Sequence, residues 1–543
     1  MAISLREFSE RRPYNAATDF VDAIVARGLG QKTAFIDEKR KLTFGELQQQ
    51  SARFADGLRA LGLERESRIA LLLFDTVDYP VAFWGSIRAG VVCIPLNTLL
   101  TTEQYAYILQ DSRVEAVFVS APLAKTIAPI LSRLPSLKLL VLQGASQADK
   151  AALAGREVLL FEDVLARGKP EIATAPTISD EVAFWLYSSG STGEPKGTKH
   201  VHSSLIATAK LYGQNVLGIR ENDVVFSAAK IFFAYGLGNA MSFPMSVGAT
   251  TVLFGGRPTP DAVFEVMRRE RPTIFYGVPT LFAALLAHKD LSRGVGSDRL
   301  RICVSAGEAL PAHVGERWRE RVGADILDGI GSTEMLHIFV SNRPDDIRYG
   351  TSGKPVPGYD AKILGEDGRE VGIDEVGELV VRGPSAAEGY WNQRAKSRRT
   401  FAGEWTYTGD KYTRDADGYY HYSGRTDDMF KVGGIWVSPF EVEAALISHE
   451  AVLEAAVIGV EDDDKLVKPK AFIVLKAGVA ANEQLLESLK THVKEKAGAW
   501  KYPRWIEVRA ELPKTATGKI QRFKLREERA ATTSPHKGTG AAG

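Results

Sequence analysis

Cysteine is scarce in this chain. Cys93 and Cys303 are its two thiols, each inside an apolar run, Gly90-Val91-Val92-Cys93-Ile94 and Arg301-Ile302-Cys303-Val304. Such settings predict buried thiols and argue against a disulfide framework or a cysteine metal centre. An excess of either charge is also missing: 68 Lys and Arg face 67 Asp and Glu, a formal net charge of +1. No general field therefore draws the chain to nucleic acid or to a membrane, and small anionic substrates must be met by local cations. Long hydrophobic runs are absent too, since nothing approaches the roughly 20 apolar residues of a membrane span. The first residues are rich in Arg and Glu and lack an apolar stretch, so no secretory signal is expected and a cytoplasmic enzyme is the simplest reading. No internal repeat is found.

What is present is the composition of an ordinary globular protein, 45% hydrophobic and 25% charged, over 543 residues that are too many for one core. Thr43-Phe44-Gly45-Glu46 has capping-box spacing and predicts an amphipathic helix to about Leu61, with Leu47, Phe54 and Leu58 on its apolar side. Short apolar runs at 69–74, 91–95, 116–119 and 139–142 alternate with helical stretches such as 82–89, which argues for α/β units with covered parallel sheets. Another run, 182–187, leads into a Gly/Ser loop, with a helix expected near Ser203, so the expected order there is strand, loop, helix. Between about 355 and 422 short strands and Gly-rich turns predict antiparallel β structure. Beyond Arg425 a compact α+β module is expected: helices at 439–447 and 483–496, strands at 455–460, 471–475 and 505–508. The tail after Arg529, mostly Ala, Thr, Ser and Gly, is expected to be disordered.

Two loops carry the chemistry. The first reads Ser188-Ser189-Gly190-Ser191-Thr192-Gly193-Glu194-Pro195-Lys196-Gly197 and offers hydroxyls, backbone N–H groups and a cation in one turn, as a polyphosphate requires. Pro195-Lys196-Gly197 stands where a Walker A loop has Gly-Lys-Ser/Thr, which disfavours a P-loop NTPase. The second, Lys514-Thr515-Ala516-Thr517-Gly518-Lys519, puts a lysine at a loop tip.

Residues 187–202 resemble the phosphate loop of the adenylate-forming superfamily of acyl-CoA synthetases, luciferases and peptide-synthetase adenylation domains. Further motifs follow in the family's order: Ser305-Ala306-Gly307-Glu308, Asp328-Gly329-Ile330-Gly331-Ser332-Thr333-Glu334, Tyr407-Thr408-Gly409-Asp410, Gly424-Arg425-Thr426-Asp427-Asp428, and the stretch from Leu512 to Ile520. The resemblance spans residues 30–526. It implies an α/β fold with a large N-terminal domain of α/β subdomains plus a β-rich subdomain (1–426), a small mobile α+β C-terminal domain (427–529) and a tail (530–543).

The same resemblance implies the site. Ser188, Ser189, Gly190, Ser191, Thr192, Gly193 and Lys196 would hold the phosphates of ATP, with Thr333 beside them and Glu334 as ligand of Mg²⁺, a role suited to a hard carboxylate. Ala306, Gly307, Glu308, Asp328, Gly329 and Ile330 would flank adenine, with Ile330 where many relatives have an aromatic residue. Asp410 would accept from the ribose hydroxyls, and Arg425 would contact ribose or phosphate. Lys519 is the implied catalytic lysine, neutralising the meeting of a carboxylate with the α-phosphate. Asp427 would be a hinge, and Lys431, Gly433 and Gly434 would line a path for the thiol of CoA.

The segments 230–239 and 331–338 resemble those of benzoate-CoA ligases, with Phe233, Ala234, Tyr235, Gly331, His337 and Ile338 forming the acyl pocket. A crowded aromatic wall suits benzoate better than a long flexible chain. The expected reaction is benzoate, ATP and CoA giving benzoyl-CoA, AMP and pyrophosphate through benzoyl-AMP. Alternatives are a ligase for a hydroxybenzoate, a heteroaromatic or a medium-chain acid, an adenylation enzyme loading a carrier protein, and an ATP-binding regulator without catalysis. No nucleic acid or membrane partner is expected, and a homodimer is left open.

Overall fold

The computed structural model describes residues 10–147, 158–188, 194–289, 297–432, 435–462, 465–498, 501–514 and 520–533, together with Phe8, Asp149 and Leu291. The structure is α/β, with a larger and a smaller compact unit. The larger comprises the described residues up to Lys362 with Val380–Thr408 and Asp417–Tyr420. The smaller comprises Ile363–Leu379, Gly409–Ala416 and the described residues from His421 onward. The chain passes between units inside the strands Asp360–Leu364, Gly377–Arg382, Trp405–Arg414 and Tyr420–Arg425, the β-rich stretch expected from its turn residues.

Two sheets build the larger unit. The first runs, in spatial order, Val158–Leu160, Leu139–Gln143, Ala116–Ser120, Arg68–Leu72, Val92–Pro95, Val182–Ser188 and Lys196–Val201. All its pairs are parallel except the last. The second has a parallel centre of Asp325–Gly331, Ile302–Ser305, Ile274–Gly277, Val224–Ser227, Thr250–Val252 and Thr33–Ile36. Antiparallel strands close both of its edges. Strands such as Ala116–Ser120 are buried at every residue, which is why they read as unbroken apolar runs.

The helix Phe44–Ala60 opens on the expected capping box, Thr43 accepting from Glu46 N and Glu46 from Thr43 N. The helix expected at 82–89 begins earlier, as Asp78–Ala89, and all its residues are buried. Burial on every side removes the amphipathic stripe by which a sequence marks a helix start. Cys93 and Cys303 are free and buried, and burial pushes both thiols up.

Residues 182–203 correct the expected strand, loop, helix. Lys196–Val201 is a strand paired antiparallel with Val182–Ser188, Ser188 opposite Lys196, and the helix His202–Thr208 starts only after it. Neither residue type nor burial alternates with a period of two along Lys196–Val201, so the sequence does not mark this strand. The sequence between Ser188 and Lys196 thus joins two antiparallel strands, and 189–193 lie outside the described residues.

The smaller unit holds a sheet of Val452–Glu461, Val467–Leu475 and Trp505–Val508 with the helices Pro439–Ile447, Glu483–Ala497 and Arg522–Thr533. The last helix covers 530–533 of the stretch expected to be disordered, and 534–543 lie outside the described residues. Among the described residues no helix is long and apolar enough to cross a membrane.

Candidate active site

In an open parallel sheet, polar loops gather where the strands end, because backbone groups there lose their ladder partners and side chains converge from several strands. The candidate segments sit at these ends. Residues 228–235 follow Val224–Ser227, and Ala306-Gly307-Glu308 follows Ile302–Ser305. Asp328, Gly329, Ile330 and Gly331 form the end of Asp325–Gly331, and these strands lie side by side with Ile274–Gly277. Gly307 has φ of +94°, a left-handed conformation that a side chain would strain.

Asp325–Gly331 and Ile338–Ser341 form a hairpin whose turn carries Thr333, Glu334 and His337. Its close approach depends on Gly331, where a Cβ would come within 2.6 Å of His337 O. One side of this turn meets cations. Lys196 Nζ donates to Glu334 Oε1 at 2.8 Å, and the Tyr390 hydroxyl donates to the same oxygen at 2.7 Å. Burial alone would raise the Glu334 carboxyl, but the Lys196 charge and the hydrogen bonds from Lys196 and Tyr390 together hold it below the usual Glu range. Glu334 stays anionic in a largely enclosed place. His200 Nε2 donates to Thr333 O at 2.8 Å and stacks on Phe184. Burial lowers His200 to about 4, so its ring is neutral at pH 7.

The other side of the turn is aromatic. His337 Nε2 donates to Asn239 Oδ1 at 3.1 Å and lies 3.2 Å from Tyr235 O, and its ring packs 4.4 Å from Phe243 and 5.5 Å from Tyr235. Two acceptors at Nε2 place the proton there, and burial lowers His337 to about 3, so the wall carries no cation. The Tyr235 hydroxyl lies 3.2 Å from Gly277 O and 3.0 Å from Val304 O, tying the short helix Ala234–Leu237 to the ends of two strands. Phe233 precedes that helix, and Ile338, buried, pairs with Gly331. Asp328 accepts from Leu310 N at 3.3 Å, and burial raises its carboxyl to about 8.

The structure thus joins Lys196 with Glu334, and Tyr235 with His337, through one turn. In the smaller unit Arg425 Nη1 donates to Asp410 Oδ1 at 3.0 Å. Asp427 is exposed, whereas its neighbour Asp428 meets Arg522 at 3.3 Å and Arg526 at 3.0 Å. Lys431 pairs with Glu366 at 3.1 Å. Ser188 ends its strand, while Ser189, Gly190, Ser191, Thr192, Gly193, Gly433, Gly434 and Lys519 lie outside the described residues. Sequence reasoning missed Tyr390 and included His200 and Asn239 only within the segments 187–202 and 230–239, with no role of their own. The signal for Tyr390 was an aromatic pair, Tyr390-Trp391, held in a loop between Gly389 and Asn392.

A metal fits here only in one way. Among the described residues no three His, Cys, Asp or Glu side chains cluster as a metal cage. Glu334 is a single anionic carboxylate, which suits Mg²⁺ that arrives already bound to phosphates and needs one or two protein ligands.

A family model described as AMP-binding enzyme matches residues 23–391, and one described as AMP-binding enzyme C-terminal domain matches 441–519. A benzoate–CoA ligase of Thauera aromatica is 56% identical over 515 residues, covering 94% of this chain and 96% of the relative. A 4-hydroxybenzoate–CoA/benzoate–CoA ligase of Rhodopseudomonas palustris is 55% identical over 517 residues, 95% of this chain and 94% of that one. Among solved structures, a benzoate CoA ligase from Burkholderia xenovorans superposes with a TM-score of 0.86 at 49% identity, covering 94% of this chain and 100% of that chain.

Proposed function

Since the chain belongs to the AMP-binding enzyme family, we propose that it is an acid–thiol ligase that activates benzoate with ATP and passes the acyl group to coenzyme A. The observation that carries this reading is the turn 332–337, which presents an anion held beside a cation on one side and an uncharged aromatic wall on the other. A flat ring with a carboxylate needs both within one reach. His337 favours an apolar ring because burial keeps its imidazole neutral.

In the first half-reaction a benzoate oxygen attacks the α-phosphorus of ATP, and pyrophosphate leaves with the electrons of the broken P–O bond. In the second, the thiol of CoA, giving up its proton, attacks the acyl carbonyl of benzoyl-AMP and AMP leaves. Lys196 and the hydroxyl and glycine residues from Ser188 to Gly193 receive the phosphates, with Thr333 alongside and Glu334 holding Mg²⁺ on them. Ala306, Gly307, Glu308, Asp328, Gly329 and Ile330 flank adenine, and Asp410 and Arg425 take the ribose side. Phe233, Ala234, Tyr235, Gly331, His337 and Ile338 enclose the ring. Lys519 supplies the cation where the two anions meet, Asp427 is the hinge of a small domain spanning 427–529, and Lys431, Gly433 and Gly434 line the thiol path. The reading places the enzyme in the cytoplasm and admits a homodimer.

The test separates the half-reactions. Lys519→Ala is expected to slow pyrophosphate release from benzoate and ATP by about 10² to 10³, the scale of one lost charge-stabilising group. Formation of benzoyl-CoA from supplied benzoyl-AMP should persist. Loss of both steps in a folded variant would overturn the division of labour, and wild-type release driven better by hexanoate or acetate than by benzoate would overturn the substrate.

A further inference from the structure

Tyr390 lies in none of the motifs that mark the nucleotide site, 56 residues from Glu334 and 194 from Lys196 along the chain, yet its hydroxyl stands between them. Its oxygen accepts from Lys196 Nζ at 2.7 Å and donates to Glu334 Oε1 at 2.7 Å, while Nζ and Oε1 are themselves 2.8 Å apart. The ammonium also lies 4.2 Å from the centroid of the Tyr390 ring, so the side chain meets the cation with its face as well as its oxygen.

Its placement is built from the backbone. Lys199 N donates to Gly389 O at 3.0 Å, Trp391 N to Gly197 O at 2.8 Å, and Ala387 N to Glu334 O at 2.8 Å. The stretch 387–391 is therefore laid along the Lys196 strand at one end and the Glu334 turn at the other. Trp391 anchors it, its ring tilted against Trp185 at 4.7 Å and its Nε1 donating to Asp111 O at 2.9 Å.

An ion pair neutralises itself. For Lys196 to serve phosphate and Glu334 to serve a metal, their mutual contact has to open, and a largely enclosed carboxylate that loses its cation is costly unless another donor remains. Resting on the nucleotide-activating reading above, we infer that Tyr390 is a positioning residue for capture of the metal–nucleotide: its hydroxyl keeps Oε1 of Glu334 in place while Lys196 turns to the phosphates. Partner exchange then leaves the carboxylate with a donor throughout.

Tyr390→Phe deletes that oxygen and keeps the ring, including its packing 5.3 Å from Phe401. Calorimetric titration of the full chain with Mg·ATP, without acid substrate, is expected to show about tenfold weaker binding, the scale of one hydrogen bond to a charged group. KM for ATP should rise by a similar factor with KM for benzoate unchanged. Trp391→Leu loosens the anchor without removing the hydroxyl and is expected to lower thermal stability while leaving the ratio of the two KM values in place. Unchanged Mg·ATP affinity in Tyr390→Phe, or an equal rise in both KM values with a lower melting temperature, would overturn the inference. Wild-type protein that fails to bind Mg·ATP in the same titration would instead remove the nucleotide reading on which it rests.

Discussion

In the larger unit burial shifts several ionisable groups toward their neutral forms, while the Lys196–Glu334 pair keeps its charges: burial lowers His200 and His202 to about 4 and His337 to about 3. It raises Asp75 to about 6 and Asp328 to about 8. The smaller unit keeps its charges and pairs them. Arg522 grips Glu443 through two contacts, 2.8 and 2.6 Å, and also meets Asp428, which takes Arg526 as well. Asp410 takes Arg425 in the same way. The cause is the partner: a lone buried charge is too costly and the group neutralises, whereas a buried group that meets an opposite charge, as Glu443 meets Arg522, keeps its own.

The largest expected effect breaks the pairing side of this contrast. Arg522→Ala strands Glu443, whose side chain is 6% exposed, without its cation, and a loss of about 3–5 kcal/mol is expected in denaturant unfolding of the full chain. A loss below about 1 kcal/mol would mean that paired charge does not hold the smaller unit.

Titration sharpens the other side. The three histidines have folded values below their ordinary one, so the stability they contribute is present above about 6.5 and is lost as pH falls toward 4 and 3. Asp75 and Asp328 have raised values, so their contribution is present below about 4 and is lost as pH rises through about 6 and about 8. Three groups outweigh two on the acid side, and Asp328 alone acts between about 6.5 and 8, so the melting temperature should peak near pH 6.5. Asp328→Asn keeps an acceptor for Leu310 N and should flatten the alkaline limb. A limb that stays as steep would show that Asp328 is ionised in the folded chain.

The smallest effect separates structure from binding at Asp410. Arg425 is 43% exposed and tolerates the loss of its partner, so Asp410→Ala should change stability little. Apparent ATP affinity is nevertheless expected to fall about tenfold, because hydrogen bonds to a charged acceptor are lost. An unaltered ATP dependence would leave the Asp410–Arg425 pair a structural contact.

The capping-box helix, the buried parallel strands and the α+β module of the smaller unit were legible because each is written in neighbouring residues: a cap three positions from its partner, an apolar run, a period of two or 3.6. Asp78–Ala89 was only half legible, since a helix buried all round carries no polar face to mark its ends. The hairpin Val182–Ser188/Lys196–Val201 was misread because a Gly/Ser loop after a strand resembles the mouth of a helix as readily as a turn, and Lys196–Val201 carries no two-residue alternation to decide between them. The order of the motifs and the residue types at each, Lys196, Glu334, Tyr235 and His337 among them, belong to the sequence itself. That Glu334 remains charged while His337 does not, and that Tyr390 stands between Glu334 and Lys196, was decided by the tertiary structure alone. Burial and partners arrive from strands and loops far away in the chain, and charge state depends on them rather than on local sequence.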